Sequence, residues 1–261
     1  LRLGYDKKLA IGTVCAGGSL GTMVPPSIVL IIYGLTANVS IGDLFTAAVI
    51  PALMLASFYL VYILVRCHLN HDLAPSINAD ELADSVDLKK VVLDIASPGI
   101  IIVFVLGSIY GGIASVTEAA SVGVTAVLGL AAMRGELKLS VLQESIVQTM
   151  RTCGMIIWIG ISASALIGVY NLMGGNRFVQ SMILGMDVSP LLIILLMMGI
   201  LIFLGLFMDW IGIALLTMPI FVPIVMGLGY DPVWFGVVFC MNMQVSFLSP
   251  PFGPAAFYLK S

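Results

Sequence analysis

The chain has 261 residues, 60% of them apolar and only 10% charged, with a mean hydropathy of +1.13 and a net charge of −3. A soluble domain carries about a quarter charged residues, so this composition excludes a water-soluble globule and predicts an all-α integral membrane protein. The acidic balance leaves no basic footprint for nucleic acid, and four scattered cysteines without a Cys-x-x-Cys pair support neither a disulfide framework nor a zinc site.

In chain order, apolar segments fall at 9–34, 44–66, 92–113, 116–133, 152–173, 190–208, 211–228 and 232–259. The first is interrupted by "VPPS", where Pro25 and Pro26 remove two backbone donors and clash with the preceding turn. The 67–91 stretch is polar and predicts a cytoplasmic loop. Its acids Asp80, Glu81, Asp84 and Asp87 read as a solvated face, and "CHLNHD" reads as solvated loop rather than a metal site. Ser115 with Glu118 three residues later predicts a capping box at the start of 116–133. Residues 134–151 put Leu139, Leu142, Ile146 and Met150 at helical spacing, which predicts a helix lying in the membrane interface. Segments 190–208 and 211–228 are joined at "FMDWIG", a turn with Asp209 and no Lys or Arg. A re-entrant hairpin fits that better than two full crossings. The last segment is broken again, at Pro250 and Pro251.

Lys and Arg set the orientation. With the first residue in the cytoplasm, Arg2, Lys7, Lys8, Arg66, Lys89, Lys90, Arg134, Lys138, Arg151 and Lys260 fall on the cytoplasmic side and Arg177 alone outside. The opening at Leu1 is short and polar rather than a charged-then-apolar leader. A start on Leu and a stop on "YLKS" lead us to expect a piece of a longer chain.

The two breaks belong to one repeated element. Residues 4–34 written above 229–259, with no gap, share Gly4/Gly229, Tyr5/Tyr230, Asp6/Asp231, Cys15/Cys240, Pro25/Pro250, Pro26/Pro251 and Tyr33/Tyr258. By the charge bias the first copy starts in the cytoplasm and the second outside. Inverted repeats with helices broken at matching positions point to the binding site of a secondary transporter. Irregular backbone at membrane depth persists only inside protein or along a cavity. Freed carbonyls there suit Na⁺, a hard cation, and the N-terminus of the following half-helix suits an anion. The candidate ion- or substrate-binding residues are therefore Gly17, Gly18, Ser19, Gly21, Thr22, Pro25, Pro26 and Ser27 at the first break, and Asn242, Ser246, Ser249, Pro250, Pro251 and Gly253 at the second. The hairpin adds Asp209 and Thr217. Asp209 either contacts an ion or caps the second arm, and Thr217 either faces the site or bonds its own helix. The methionines from 197 to 243 read as packing. Trp158, Trp210 and Trp234 read as interface anchors or core.

Together "GTMVPPSIVLIIYG", "SIGDLF", "TEAAS", "LGLFMDWIGIALLTMPIFVPI", "GYDPVWFGVVF" and "SPPFGPAAFYLK" resemble the large membrane subunit of tripartite ATP-independent periplasmic (TRAP) transporters, over nearly the whole chain. The resemblance implies a multi-pass protein of the bacterial inner membrane, an ion-transporter fold of elevator type, and a non-enzymatic role. It implies Na⁺ as coupling ion with no other cofactor. Its partners would be the lipid bilayer, a small membrane subunit, a periplasmic solute-binding protein and an organic-acid substrate. Members of the family also carry an earlier half, with a cytoplasmic hairpin that completes one ion site, and a last C-terminal helix. The expected parts are 1–34, the end of a first repeat with its broken helix; 35–66, a spanning helix; 67–91, the loop; 92–151, scaffold helices and the interfacial helix; and 152–261, a second repeat with hairpin and broken helix. The alternatives are a divalent-anion/Na⁺ symporter that works without a binding protein and an intramembrane enzyme. The enzyme needs an acid pair, a Ser–His pair or a metal at membrane depth, and both histidines lie in the polar loop.

Overall fold

The computed structural model describes residues 5–73, 88–185, 188–249 and 253. Every regular element among them is helical: α1 Lys7–Leu20, α2 Ile28–Ala37, α3 Ile41–Leu69, a 3₁₀ turn His71–Leu73, α4 Leu88–Tyr110, α5 Val116–Met133, α6 Leu139–Leu172, α7 Gly175–Leu184, α8 Pro190–Gly205, α9 Trp210–Gly227 and α10 Pro232–Leu248. Four of these, α3, α5, α6 and α9, are long and apolar enough to cross a membrane. The acids at 80–87 and both members of the second double proline lie outside the described residues.

The elements depart from expectation at three places. The helix expected over 134–151 starts at Leu139 and is continuous with the apolar segment after it: α6 runs to Leu172 without a break. No proline interrupts it and its glycines stand singly, so each added residue gains a backbone bond. At 34 residues α6 is about 51 Å long, well beyond the ~30 Å of a bilayer core. Second, α3 runs to Leu69 and α4 starts at Leu88, so the loop expected over 67–91 is shorter at both ends. Third, α7 forms in the gap between the apolar segments 152–173 and 190–208, where no element was expected. Gly174 precedes it at φ 77, a left-handed conformation that glycine adopts without steric cost.

The chain divides into two compact units, Leu1–Ala10 with Leu60–Met150, and Ile11–Tyr59 with Arg151–Ser261. In the first, α4 packs on α5. Arg134 ties them, pairing with Asp94 at 3.1 Å and donating to Ser97 Oγ at 3.0 Å. The predicted capping box is present: Glu118 N–H donates to Ser115 Oγ, and Ser115 N–H donates to Glu118 Oε2 at 2.7 Å. Ser115→Ala is expected to destabilise this unit by about 1 kcal/mol, read as a lowered thermal midpoint, because one orphan donor of the first turn then loses its partner.

The second unit is built on α9, which packs against α2, α7, α8 and α10. Half of its most apolar window is buried, against 6–11% in the other three candidate spans, so α9 is the core helix and those three keep apolar faces free for lipid. Tyr33 fixes α2 against α10. Its ring is fully buried, stacks on Phe239 at 5.9 Å, and its hydroxyl donates to Pro232 O at 2.6 Å.

Candidate functional site

Two aspartates start the two copies of the repeat in the same way. Asp6 Oδ1 accepts from Leu9 N–H at 2.9 Å at the head of α1. Asp231 Oδ1 accepts from Val233 and Trp234 N–H at 2.6 and 3.2 Å at the head of α10. Satisfying the first amides this way sets both helix starts. The helices that follow are 14 and 17 residues, about 21 and 26 Å. Both stop short of a full crossing.

The copies run in opposite directions where they touch. Tyr33, late in the first copy, meets Pro232 at the start of α10. Thr22, in the first break, meets Cys240 and Gln244, two and three turns further along α10. The break is thus held against the later part of α10, where Gln244 stands about 6 Å and Cys240 about 12 Å before that helix ends at Leu248.

Residues 21–27 join α1 to α2, and the Pro25–Pro26 peptide is cis. Hydroxyls close the turn. Ser19 Oγ donates to Ala16 O at 2.8 Å and Thr22 Oγ1 to Ser19 O at 2.7 Å. Ser27 Oγ donates to Thr22 O, and Ser27 also caps α2, accepting from Leu30 N–H at 3.3 Å. Cys240 Sγ donates to the same Thr22 carbonyl at 3.6 Å. Gln244 Nε2 donates to Thr22 Oγ1 at 2.8 Å and lies 3.5 Å from Cys240 O. No donor among the described residues reaches the carbonyls of Gly21, Met23, Val24, Pro25 or Pro26.

The structure therefore brings Ser19, Thr22 and Ser27 together and adds Cys240 and Gln244, which the sequence reading did not place at the site. Pro25 is buried beside them, whereas Pro26 is exposed. Gly17, Gly18 and Gly21 lie on an exposed face, and a Cβ at Gly17 or Gly18 would meet nothing. Asn242 and Ser246 take the α8 side of α10. Asn242 Nδ2 donates to Met198 O at 3.0 Å, and Ser246 closes on Gly205. Ser249 ends α10 in an extended conformation and its carbonyl accepts from the buried Gly253 N–H at 2.9 Å. Asp209 caps α9, accepting from Ile211 N–H at 3.3 Å. Thr217 Oγ1 donates to Ile213 O of its own helix at 2.7 Å. For both residues the plainer of the two readings matches the contacts made. Pro250 and Pro251 lie outside the described residues.

A signal for Gln244 was present. In the repeat it stands opposite Ser19, so both copies carry a polar residue at one position of an otherwise apolar half-helix. Among the described residues no three His, Cys, Asp or Glu side chains are grouped as a metal site would need.

The profile of the family described as "Tripartite ATP-independent periplasmic transporter, DctM component" matches residues 1–261. The chain is 30% identical over 256 residues to the C4-dicarboxylate TRAP transporter large permease protein DctM of Pseudomonas aeruginosa, covering 97% of this chain and 58% of that protein. It is 31% identical over 258 residues to the sialic acid TRAP transporter large permease protein SiaM of Vibrio cholerae, covering 98% and 59%. It is 25% identical over 251 residues to the 2,3-diketo-L-gulonate TRAP transporter large permease protein YiaN of Escherichia coli, covering 95% and 58%. The chain thus spans somewhat under three fifths of the length of these relatives.

Proposed function

Because this chain belongs to the DctM-component family of tripartite ATP-independent periplasmic transporters, we infer that it is part of the large permease of a Na⁺-coupled, binding-protein-dependent importer of a small organic acid. The observation that carries this reading is the contact between the first break and α10, made by two antiparallel copies of one element. Secondary transporters place their sites between such copies.

The broken turn has two polar ends. On the α1 side it presents carbonyl oxygens to a cation. On the α2 side the N–H groups of Ile28 and Val29 carry no acceptor among the described residues, and they lie at the positive end of the α2 dipole. An organic anion is matched to that end. A cation and an anion held a few ångströms apart each lower the other's cost of leaving water, which is the physical basis of symport. α8 and α9 form the re-entrant hairpin of this scheme, and the unit carrying both breaks moves in an elevator-like step. A small membrane subunit in the inner membrane and a soluble receptor complete the system.

The relatives' names cover C4-dicarboxylates, sialic acid and 2,3-diketo-L-gulonate. These three, offered with cognate receptors, are the first solutes to assay. The full-length permease reconstituted with its small subunit is expected to take up solute only when receptor and an inward Na⁺ gradient are both supplied. Uptake indifferent to Na⁺ defeats the coupling. Uptake without receptor assigns the protein to the divalent-anion/Na⁺ symporter type instead.

A further inference from the structure

Gln244 is 4% exposed, and its Oε1 is buried without a hydrogen-bond partner among the described residues. The orientation of the amide follows from its neighbours. Thr22 Oγ1 already donates its hydrogen to Ser19 O, so toward Gln244 it can only accept. The second neighbour on the same side is the Cys240 carbonyl, also an acceptor. Two acceptors on one end of an amide require the NH₂ there, so the lone oxygen is Oε1 and not a misplaced nitrogen. Leaving such an oxygen unpaired costs about 1–3 kcal/mol.

The polar side chains on the α1 side of the break have the same character. The hydroxyl hydrogens of Ser19, Thr22 and Ser27 are all engaged by carbonyls, and the Cys240 thiol is engaged by Thr22 O. Among the described residues, the atoms without a partner on the α1 side are acceptors: Gln244 Oε1, and the carbonyls of Gly21 and Met23, which flank Thr22 in the chain. Unpaired acceptors of this kind suit a cation rather than an anion. None of the hydrogen bonds that build it involves a carboxylate, whereas a divalent ion is ordinarily held by carboxylates. Neutral oxygens of this kind match a small, hard, monovalent ion.

We propose that Gln244 is a ligand of the transported cation, its Oε1 reaching the ion while its NH₂, held by Thr22 and Cys240, keeps that oxygen in place against the first break. This rests on the Na⁺-coupled reading above and adds to it a residue on the opposite helix. The site then joins both copies of the repeat, so cation occupancy ties the first break to α10.

The test is thermal unfolding of the full-length permease in detergent, titrated with NaCl against choline chloride at constant ionic strength. Wild type is expected to gain stability with Na⁺. Gln244→Met keeps the side-chain length and removes both polar atoms. Its midpoint in choline reports the two hydrogen bonds lost from the NH₂ together with the unpaired oxygen removed, so the cation role is read from the Na⁺ response alone. Its half-effective Na⁺ concentration is expected to rise at least tenfold. A purely structural Gln244 leaves the Na⁺ response unshifted whatever the midpoint in choline, and that result overturns the proposal. Should Gln244→Met not fold, Gln244→Glu at pH 8 decides. A carboxylate at this position is expected to lower the half-effective Na⁺ concentration severalfold, and an unchanged value again overturns it. If wild type itself ignores Na⁺, the coupled reading falls. If wild type responds and the variants respond identically, only the role of Gln244 falls.

Discussion

Gly236→Val is expected to leave no monodisperse permease on size exclusion, and Gly236→Ala to lower stability by about 1–3 kcal/mol. Gly236 is buried where α10 crosses α2 and the start of α3. A Cβ built on it would lie 2.6 Å from Leu44 Cδ2 and 2.7 Å from Tyr33 Cδ1, closer than packed carbons approach. Neither neighbour has room to yield. Leu44 is fully buried, and Tyr33 is held by its hydroxyl on Pro232 and its ring on Phe239. The helices themselves must separate, which also opens the contact that brings Thr22 to Gln244. Alanine adds one carbon to this space and valine three, so the effect grows steeply between them. A Gly236→Ala protein with the wild-type thermal midpoint would show that α2 and α10 do not meet this closely.

Gly205→Ala is the second large effect, and a second substitution is expected to reverse it. Gly205 ends α8 against Ser246 of α10. Its added Cβ would overlap Ser246 Oγ and sit 2.5 Å from Ser246 Cβ. Turning the hydroxyl away does not suffice, because the β-carbon stays. Ser246→Ala should therefore rescue only in part. Ser246→Gly removes the β-carbon, so the double variant Gly205→Ala with Ser246→Gly should return to the stability of Ser246→Gly alone. That single variant pays only the helical cost of glycine, roughly 0.5–1 kcal/mol. The coupling in the double-mutant cycle should fall at about 1–3 kcal/mol, the range for residues in contact. Additive effects would mean the α8–α10 approach is not limited by this pair. Thermal midpoints suffice, so the result does not depend on transport.

Particular residues show where the sequence sufficed. Composition demanded a membrane protein, since 10% charge does not cover a soluble surface. Ser115 and Glu118 announced a capping box because its partners lie three residues apart on one chain. Asp6 and Asp231, aligned by the repeat, each accept the amides two or three residues on. Paired prolines at 25–26 marked the end of a half-helix because proline lacks the donor a helix interior needs. The continuity of α6 was not legible because amphipathic and apolar stretches look like separate elements when hydropathy is the guide. A helix does not end where hydropathy changes, only where backbone bonding stops.

What the chain alone decided is thus everything whose cause acts within a few residues or through average solubility: membrane residence and the repeated element with its break. What required the folded structure was which side chains meet across elements more than 200 positions apart. Thr22 finds Cys240 and Gln244, and glycines 205 and 236 set how near their helices come. Those choices follow from the rotation and depth of one helix against another, which packing density settles and no local pattern encodes.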